Sequence, residues 1–370
     1  MTRVVFAGGG TGGHLYPGLA IARALVRADS SIKPFFVGAQ RGIERTVLPA
    51  AEFPFVLLDL HPLYRTAVWK NAQTLAGAIG AWRHIGKIVR QERPAMVVGT
   101  GGYAAGMMLA YARVHGIPMV QQAGDSVPGL TARAFSKSTQ EFYLNFPEAA
   151  KVLTPHHPGS MIDTGAPIEP PPDPRPDHAQ ARAHWNFPTT GGEVLLIYGG
   201  SQGSLAINRV VSAWIDRGLP ENLYVIWGTG RTTYEQFKQH ESTNVRVRDY
   251  LSPIAEAYAA TDVALARAGA MTTAELFAWG IPGVLVPLPT AAADHQTTNA
   301  VTLERAGAAI HLPQSQLSVE RLDSTIRGLL ENPPELQRLA AGATRRARPH
   351  AADEIARRII ALMGRTAGRV

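Results

Sequence analysis

The sequence contains no cysteine in its 370 residues. Disulfide bonds, zinc–thiolate sites and cysteine nucleophiles are therefore excluded, and the absence is consistent with a reducing cytoplasm. Long hydrophobic runs are also missing: no stretch reaches the roughly 18 consecutive apolar residues expected of a membrane-spanning helix. The chain begins directly on a buried-strand pattern, RVVFAGG, so we expect no signal peptide.

Acidic residues are outnumbered, with 29 Asp and Glu against 36 Lys and Arg, which leaves a net charge of +7. This balance favours anionic partners such as phosphates, nucleic acid or acidic lipid surfaces. No pattern of stacking aromatics or of a groove-reading helix accompanies the charge. We therefore expect no nucleic-acid partner.

Short β-branched runs alternate with amphipathic helical patterns along the whole chain, which predicts an α/β fold with parallel sheets. A connector interrupts the alternation, since six of the ten residues from Pro167 to Pro176 are proline. We predict two similarly built domains, residues 1–165 and 166–350. A final helix at about 351–370 is assigned to the first domain.

The stretch from Phe6 to Gly18, FAGGGTGGHLYPG, formally contains the dinucleotide fingerprint G-x-G-x-x-G. A nicotinamide site also needs an acidic residue at the end of the second strand, to bind the ribose. Gln40 occupies that position, and Glu44 comes only after the turn. The next helix is predicted to begin near Pro17, so the loop would be a wider turn that displays His14. These features argue against a dinucleotide site.

Two further glycine turns follow predicted strands, GTGGYAAG from Gly99 and GGSQGS from Gly199. Such turns let backbone N–H groups and the positive end of a helix dipole approach an anion. No G-K-[ST] follows any of them, which excludes a P-loop. Three glycine turns at the carboxyl ends of strands predict a phosphate-bearing ligand.

The second half adds polar groups at two predicted helix starts. In RAGAMTTAELFAWG, Thr272 and Thr273 suit a diphosphate, and the carboxylate of Glu275 suits the paired hydroxyls of a ribose. The alternative is an ordinary capped helix with a solvated Glu275. In ADHQTTNA, His295 and Gln296 suit sugar hydroxyls.

Six segments together resemble a known family. GGGTGGHLYPGLAIA, GTGGYAAG, PGLTAR, GGSQGSLAIN, RAGAMTTAE and DHQTTNA occur in the order found in glycosyltransferase family 28. The resemblance spans nearly the whole chain. It implies the GT-B fold, two Rossmann-like domains whose parallel sheets face each other across a deep cleft. It also implies transfer of N-acetylglucosamine from UDP-N-acetylglucosamine to undecaprenyl-pyrophosphoryl-MurNAc-pentapeptide (lipid I) in peptidoglycan synthesis.

The resemblance assigns residues position by position. It implies that UDP-sugar binding falls to Thr11, Gly12, Gly13, Ser201, Gln202, Leu251, Ile254, Thr272, Glu275, His295 and Gln296. It further implies that acceptor or diphosphate binding falls to Gly101, Gly102 and Tyr103. Two family motifs differ here. The family's H-E-Q-N is replaced by Gln122, Ala123, Gly124 and Asp125, and its G-N-P-x-R becomes GAPIE.

Glycosyl transfer requires a stabilised diphosphate leaving group and an acceptor hydroxyl relieved of its proton. His14 is the candidate general base, with Asp125 as a second candidate; the alternative for His14 is a purely structural role in the glycine loop. The chain contains no D-x-D motif, so we expect transfer without a metal ion or other cofactor. The hypothesis is a single-displacement reaction that inverts the configuration. Helix N-termini, loop amides and hydroxyls would stabilise the leaving group.

The segment from Tyr64 to Arg93 carries six Arg or Lys and one Glu around Trp69, Leu75, Ile79 and Trp82. This composition is typical of an interfacial anchor for an anionic membrane, although an amphipathic helix packed on its own sheet is the alternative. With a lipid-linked acceptor, we expect a peripheral enzyme on the cytoplasmic face of the membrane. Three other functions stay open: a GT-B transferase with another acceptor, a UDP-sugar epimerase, and a non-catalytic UDP-sugar-binding protein.

Overall fold

The computed structural model describes residues 1–60, 71–200 and 202–367. The chain divides into two compact units, Met1–Glu169 with His350–Val370, and Pro170–Pro349. We call them unit 1 and unit 2. Both ends of unit 2 adjoin proline-containing segments, and the connector predicted from the sequence spans its start.

The described strands belong to two sheets. In chain order they are β1 (Thr2–Gly8), β2 (Ile32–Ala39), β3 (Phe55–Leu58), β4 (Met96–Gly101), β5 (Met119–Ala123), β6 (Phe142–Leu144), β7 (Met161–Asp163), β8 (Glu193–Tyr198), β9 (Leu223–Gly228), β10 (Val245–Arg248), β11 (Val263–Ala266), β12 (Gly283–Leu285) and β13 (Ala309–His311).

Most of the α-helices lie between successive strands, and the last three follow β13. They are α1 (Gly12–Ala28), α2 (Glu44–Val47), α3 (Asn71–Glu92), α4 (Gly102–Val114), α5 (Leu130–Ala134), α6 (His178–His184), α7 (Leu205–Arg217), α8 (Tyr234–Phe237), α9 (Ile254–Ala259), α10 (Ala270–Ala278), α11 (His295–Arg305), α12 (Val319–Leu330), α13 (Pro333–Arg346) and α14 (Ala351–Ala367).

The sheet of unit 1 has the order β3-β2-β1-β4-β5-β6-β7, and the sheet of unit 2 has the order β10-β9-β8-β11-β12-β13. All the strand pairs are parallel. Val, Ile, Leu and Phe dominate the strands because helices cover both faces of such sheets. The predicted α/β class with two parallel sheets is confirmed.

The last helix packs against the first. Ile355 and Ile359 of α14 are fully buried in the same apolar cluster as Ile21 and Leu25 of α1. An ion pair between Arg27 and Asp353 lies at the edge of this contact. Residues from the two ends of the chain thus build one face of unit 1.

The predicted start of the first helix is wrong. α1 begins at Gly12 rather than near Pro17, so His14 lies in its first turn. Glycine and an internal proline both disfavour a helix in this stretch. Burial of Leu15, Leu19 and Ile21 against the sheet outweighs that preference.

Candidate active site

Both sheets have a topological switch point, where successive crossovers leave in opposite directions. It lies between β1 and β4 in unit 1, and between β8 and β11 in unit 2. Ligands of open α/β sheets bind at the carboxyl ends of the strands at such points. The glycine turns that follow β1, β4 and β8 are therefore at the positions where a ligand is expected.

The two glycine turns of unit 1 meet around His14. The Nδ1 atom of His14 lies 3.2 Å from the carbonyl oxygen of Gly9 and 3.2 Å from Oγ1 of Thr11. On the other side, the turn after β4 adopts a positive φ of 77° at Gly102, and a Cβ there would lie 2.1 Å from the Gly9 oxygen. Only glycine lets the two loops approach this closely.

The carbonyl of Gly9 favours one tautomer of His14. A carbonyl oxygen can only accept a hydrogen bond, so the contact to Gly9 is satisfied when Nδ1 carries the proton, whereas the Thr11 hydroxyl can donate as well as accept. In that tautomer the lone pair is on Nε2. A histidine held in this way has a defined orientation and a basic nitrogen, the two properties a general base needs.

One amide of the first glycine turn is directed inwards. The N–H of Gly10 donates to both carboxylate oxygens of Glu44, at 3.0 and 2.9 Å, and Glu44 is fully buried. The N–H of Ala39 donates to the same carboxylate at 3.0 Å. The predicted approach of loop amides to an anion does not extend to Gly10, because the Glu44 carboxylate already accepts its N–H.

The other predicted residues of unit 1 are distributed around the same switch point. The ring of Tyr103 lies against Gly10, where a Cβ would be 3.1 Å from its Cε1. Asp125 is half-buried in the turn after β5, and the chain leads from this turn into α5. Thr131 of α5 donates to the carbonyl of Gly102 at 3.3 Å, which ties that turn to the loop after β4.

In unit 2 the glycine turn after β8 folds tightly onto the start of α7. Gly203 has a φ of 74°, and a Cβ there would lie 2.2 Å from the carbonyl oxygen of Thr229. Ser204 caps α7, its Oγ accepting from the N–H of Ile207 at 3.4 Å. Gln202 is exposed in this turn, and Ser201 lies outside the described residues.

A buried arginine lies behind this turn. Arg267, at the end of β11, is 7% exposed, and burial lowers its pKa. Its guanidinium donates to Ser204 Oγ and Gln314 Oε1, both at 2.7 Å, and to two main-chain carbonyls. All four acceptors are neutral. In the part of the chain that the structure describes, this charge forms no ion pair, so it is available to stabilise a bound anion.

Glu275 lies in α10 beside a buried hydroxyl pair. Its Oε2 accepts from the hydroxyl of Tyr258 at 2.9 Å, and that hydroxyl lies 3.1 Å from the hydroxyl of Tyr198. Burial raises the pKa of Glu275, and the bond from Tyr258 opposes that rise. Thr272, one turn earlier in α10, lowers the pKa of Tyr198 and so lies close to its hydroxyl. The two residues predicted to face phosphate and ribose thus lie beside one pair of tyrosine hydroxyls.

The start of α11 presents the second predicted pair. The ring of His295 is anchored by a 2.7 Å contact from Nδ1 to the carbonyl of Ala292, and Gln296 Oε1 accepts from the N–H of Leu288 at 3.0 Å. Asn299 is fully buried and donates to the carbonyl of Ala268 at 3.2 Å. Asn299 thereby links α11 to the turn that precedes α10.

The segment of Leu251 and Ile254, predicted to bind the UDP-sugar, precedes and begins α9. Leu251 is buried, and Ile254 is half-buried at the first position of the helix. A Cβ on Gly228 would lie 3.0 Å from Leu251, so this leucine packs against the end of β9. The segment therefore adjoins the carboxyl edge of the sheet.

The residues predicted to form a membrane anchor fall into two groups. Trp69 and the side chain of Leu75 lie outside the described part. Ile79 is 54% exposed on α3, whereas the ring of Trp82 packs against Tyr111, with centroids 4.9 Å apart. Trp82 is therefore partly a core residue. The exposed Arg83, Lys87 and Arg90 continue the face that begins at Ile79.

Sequence reasoning missed four buried groups. It gave Glu44, Tyr198 and Tyr258 no role in a site, and it treated Arg267 only as the end of a strand. Charge at an otherwise apolar strand end was the available signal for Arg267. For the tyrosines no comparable signal exists, because aromatic residues are ordinary members of apolar runs.

Comparison with known proteins identifies the family. Residues 4–144 match the model of the glycosyltransferase family 28 N-terminal domain, and residues 194–355 match that of the C-terminal domain. A UDP-N-acetylglucosamine--N-acetylmuramyl-(pentapeptide) pyrophosphoryl-undecaprenol N-acetylglucosamine transferase of Salinibacter ruber is 38% identical, over 98% of this chain and 97% of its own length. The chain belongs to glycosyltransferase family 28. A relative of the same name from Chlorobaculum parvum is 36% identical over 97% of this chain and 99% of its own length.

Solved structures support the same family 28 assignment. The crystal structure of MurG from Acinetobacter baumannii superposes with a TM-score of 0.76 at 26% identity, covering 96% of this chain and 98% of that one. A glycosyltransferase of kitacinnamycin has a TM-score of 0.71 at 17% identity over 96% of this chain and 98% of its own, a likeness that shows the fold alone. Among the described residues, no helix is both long and apolar enough to span a bilayer.

Proposed function

We propose that this chain is an enzyme that transfers N-acetylglucosamine from UDP-N-acetylglucosamine to lipid I, forming lipid II in peptidoglycan synthesis. The observation that carries the proposal is the match over nearly the full length to relatives named for this reaction, 38% identical in the case of Salinibacter ruber. The donor motifs of unit 2 add independent support.

Most contacts to the UDP-sugar are assigned to unit 2. Ser201, Gln202 and Thr272 would meet the diphosphate and sugar, with the guanidinium of Arg267 behind the glycine turn. Glu275 would accept the ribose hydroxyls, and His295 and Gln296 would bind the sugar hydroxyls. Backbone groups between Leu251 and Ile254 would recognise uracil.

His14 is assigned as the general base. In a single-displacement reaction the 4-hydroxyl of the muramoyl sugar attacks the anomeric carbon, the bond to the diphosphate oxygen breaks, and the configuration inverts. The proton of the hydroxyl passes to Nε2 of His14, whose Nδ1 is bound to the Gly9 carbonyl. The loop residues Thr11, Gly12 and Gly13 would contact the donor beside it.

The remaining polar groups of unit 1 are assigned to the acceptor. Gly101, Gly102 and Tyr103 would bind the acceptor or its diphosphate, and Asp125 is the second candidate for proton transfer. The first turn of α1 leaves amides at Gly12 and Gly13 without helical acceptors, as at any helix N-terminus. Oriented amides and hydroxyls stabilise a diphosphate leaving group, and we propose that they do so here without a metal ion.

Turnover with radiolabelled UDP-N-acetylglucosamine and a lipid I analogue tests this function. We expect labelled lipid product together with one equivalent of UDP. UDP release without a lipid product would indicate a different acceptor, consistent with the altered motif at Gln122–Asp125. Donor binding without any turnover would instead favour a non-catalytic protein. The Glu275→Gln variant is the control for donor binding. It retains the side-chain volume and removes the carboxylate that is proposed to bind the ribose.

We further propose that unit 1 binds the anionic surface of the membrane from the cytoplasmic side. Ile79 and the exposed Arg83, Lys87 and Arg90 share one face of α3, an arrangement typical of interfacial helices. Basic residues near such a surface each contribute about 1 kcal/mol of attraction to anionic lipid.

Sedimentation with vesicles tests the membrane assignment. Vesicles that contain phosphatidylglycerol should bind the protein, and Ile79→Glu should weaken binding by placing a like charge at the anionic surface. Val152→Glu is the matched control, because Val152 is similarly exposed in the same unit, 48% against 54% for Ile79. Equal binding of all three proteins would rule out this face.

A further inference from the structure

Three hydroxyl groups and one carboxylate connect separate elements of unit 2. Tyr198 ends β8, Tyr258 lies in α9, and Thr272 and Glu275 lie on α10. Two hydrogen bonds join them, Tyr198 to Tyr258 at 3.1 Å and Tyr258 to Glu275 at 2.9 Å, and Thr272 lies beside Tyr198. We call this set the tyrosine relay. Its two ends are the residues that unit 2 is proposed to present to the phosphates and the ribose.

The proton of each hydroxyl has a fixed direction. A carboxylate can only accept, so the single proton of Tyr258 goes to Glu275. The oxygen of Tyr258 must then accept from Tyr198, whose own oxygen is left as an acceptor. All the donors in the relay therefore point towards Glu275.

Packing alone does not explain the two hydroxyls. Tyr198 and Tyr258 are 6% and 3% exposed, and phenylalanine would fill the same apolar space without a polar group to satisfy. Glu275, in contrast, is half-buried. The relay therefore ends on its one ionisable member that solvent, and hence a ligand, can reach.

The hydrogen bond from Tyr258 serves the charged form of Glu275. It occupies Oε2 and leaves Oε1 as an acceptor for a ligand hydroxyl, since no bond to Oε1 is found within the described residues. The titratable groups that act on Glu275 are Tyr258 from α9 and Tyr198 from β8. Burial raises the pKa of both tyrosines, so both keep their protons at neutral pH and act as donors.

We infer that Tyr258 is a positioning residue for the ribose of the UDP-sugar: its hydroxyl, held in turn by Tyr198, orients the Glu275 carboxylate and keeps it charged. The inference rests on the proposed function, in which Glu275 binds the ribose. Tyr258 itself touches the carboxylate rather than the ligand. Its loss should therefore change how nucleotide affinity depends on pH.

The direction of the change follows from the charges. Burial raises the pKa of Glu275, and the Tyr258 bond lowers it. In Tyr258→Phe the opposing bond is gone, so the pKa of Glu275 rises further and the carboxylate becomes neutral at a higher pH. Affinity that depends on the charged carboxylate is present at high pH and lost as pH falls. Tyr258→Phe should therefore lose this affinity at a higher pH than the wild type does.

Calorimetric binding of UDP and 2′-deoxy-UDP between pH 5.5 and 9 tests the inference. The measured quantity is the ratio of the Kd of Tyr258→Phe to that of the wild type, which cancels the titration of the nucleotide. Loss of a hydrogen bond to a charged group is expected to raise this ratio for UDP about tenfold near pH 6. The Kd ratio for UDP should decline towards pH 9. The Kd ratio for 2′-deoxy-UDP should be smaller than that for UDP at every pH.

Two further variants complete the experiment. Tyr198→Phe breaks the relay one step earlier and should produce a smaller change of the same sign. Tyr234→Phe, in the same unit but outside the relay, should leave the ratio at one. A loss that is equal at every pH, or no loss, would overturn the role of Tyr258. If wild-type protein binds UDP and 2′-deoxy-UDP equally, Glu275 does not bind the ribose, and that part of the proposed function fails instead.

Discussion

The two units carry similar glycine turns at equivalent places, but the charges buried next to them are opposite. In unit 1 the carboxylate of Glu44 accepts the amide of Gly10, at 2.9 and 3.0 Å. In unit 2 the guanidinium of Arg267 donates to Ser204, the residue that ends the turn after β8, at 2.7 Å. Both side chains are at most 7% exposed.

This difference separates two uses of one backbone motif. A carboxylate beneath a loop satisfies one of its amides internally, so the loop of unit 1 holds His14 and keeps only its remaining amides, such as those of Gly12 and Gly13, for a ligand. An arginine without an acidic partner instead favours an anion nearby, because a buried charge is stabilised by a counter-charge. The loop of unit 2 is therefore the better site for a diphosphate.

The largest expected effect on activity comes from replacing His14 in unit 1, and replacing His295 in unit 2 provides the comparison. His14→Ala should lower kcat by at least about 100-fold, since general-base catalysis contributes on this scale, and should leave the Kd for UDP unchanged. His295→Ala, in unit 2, should mainly raise the KM for the donor. Steady-state kinetics with both substrates varied, together with UDP calorimetry, separates the two results.

One result would contradict the catalytic role of His14. If His14→Ala retained wild-type kcat at saturating substrates, the imidazole would be only a cap on the glycine loop. Rescue of that variant by added imidazole would support proton transfer, because a free base can replace a missing one only where a base is required.

The sequence predicted more of the fold than of the site. Alternating strand and helix patterns predicted both sheets, because apolar runs such as Val194–Ile197 suit a strand buried on both faces. The start of α1 was missed because Gly12 and Pro17 are poor helix formers whose preference was overridden by packing. The partners of the site side chains were beyond prediction, since Glu44 and Gly10 are 34 residues apart in the chain.

A smaller effect is expected at Arg267. Arg267→Gln removes the positive charge behind the unit 2 turn, so the affinity for UDP should fall about tenfold and that for uridine should be nearly unchanged. Uridine lacks phosphates, so the contrast isolates the diphosphate. Calorimetry with both ligands provides the measurement.

Arg246→Gln is the control for this experiment. Arg246 is 8% exposed and bonds main-chain carbonyls, as Arg267 does in part, but those carbonyls belong to Trp185, Asn186, Ser242 and Val245. Its loss should lower the thermal midpoint of unfolding and leave the ratio of UDP to uridine affinity as in the wild type. Equal changes in that ratio for both variants would show that Arg267 acts through stability alone.

The smallest effect on activity is expected from Glu44→Gln. A glutamine fits the same space, but its amide group presents a donor to the N–H groups of Gly10 and Ala39, so at least one of these bonds is lost. We expect the free energy of unfolding to fall by about 1–3 kcal/mol, the cost of an unsatisfied buried group. Because Gly10 lies between Gly9 and Thr11, which both contact His14, kcat should fall a few-fold while the Kd for UDP stays constant. An unchanged kcat in a destabilised protein would mean that the carboxylate maintains the fold of the loop but does not set the position of His14.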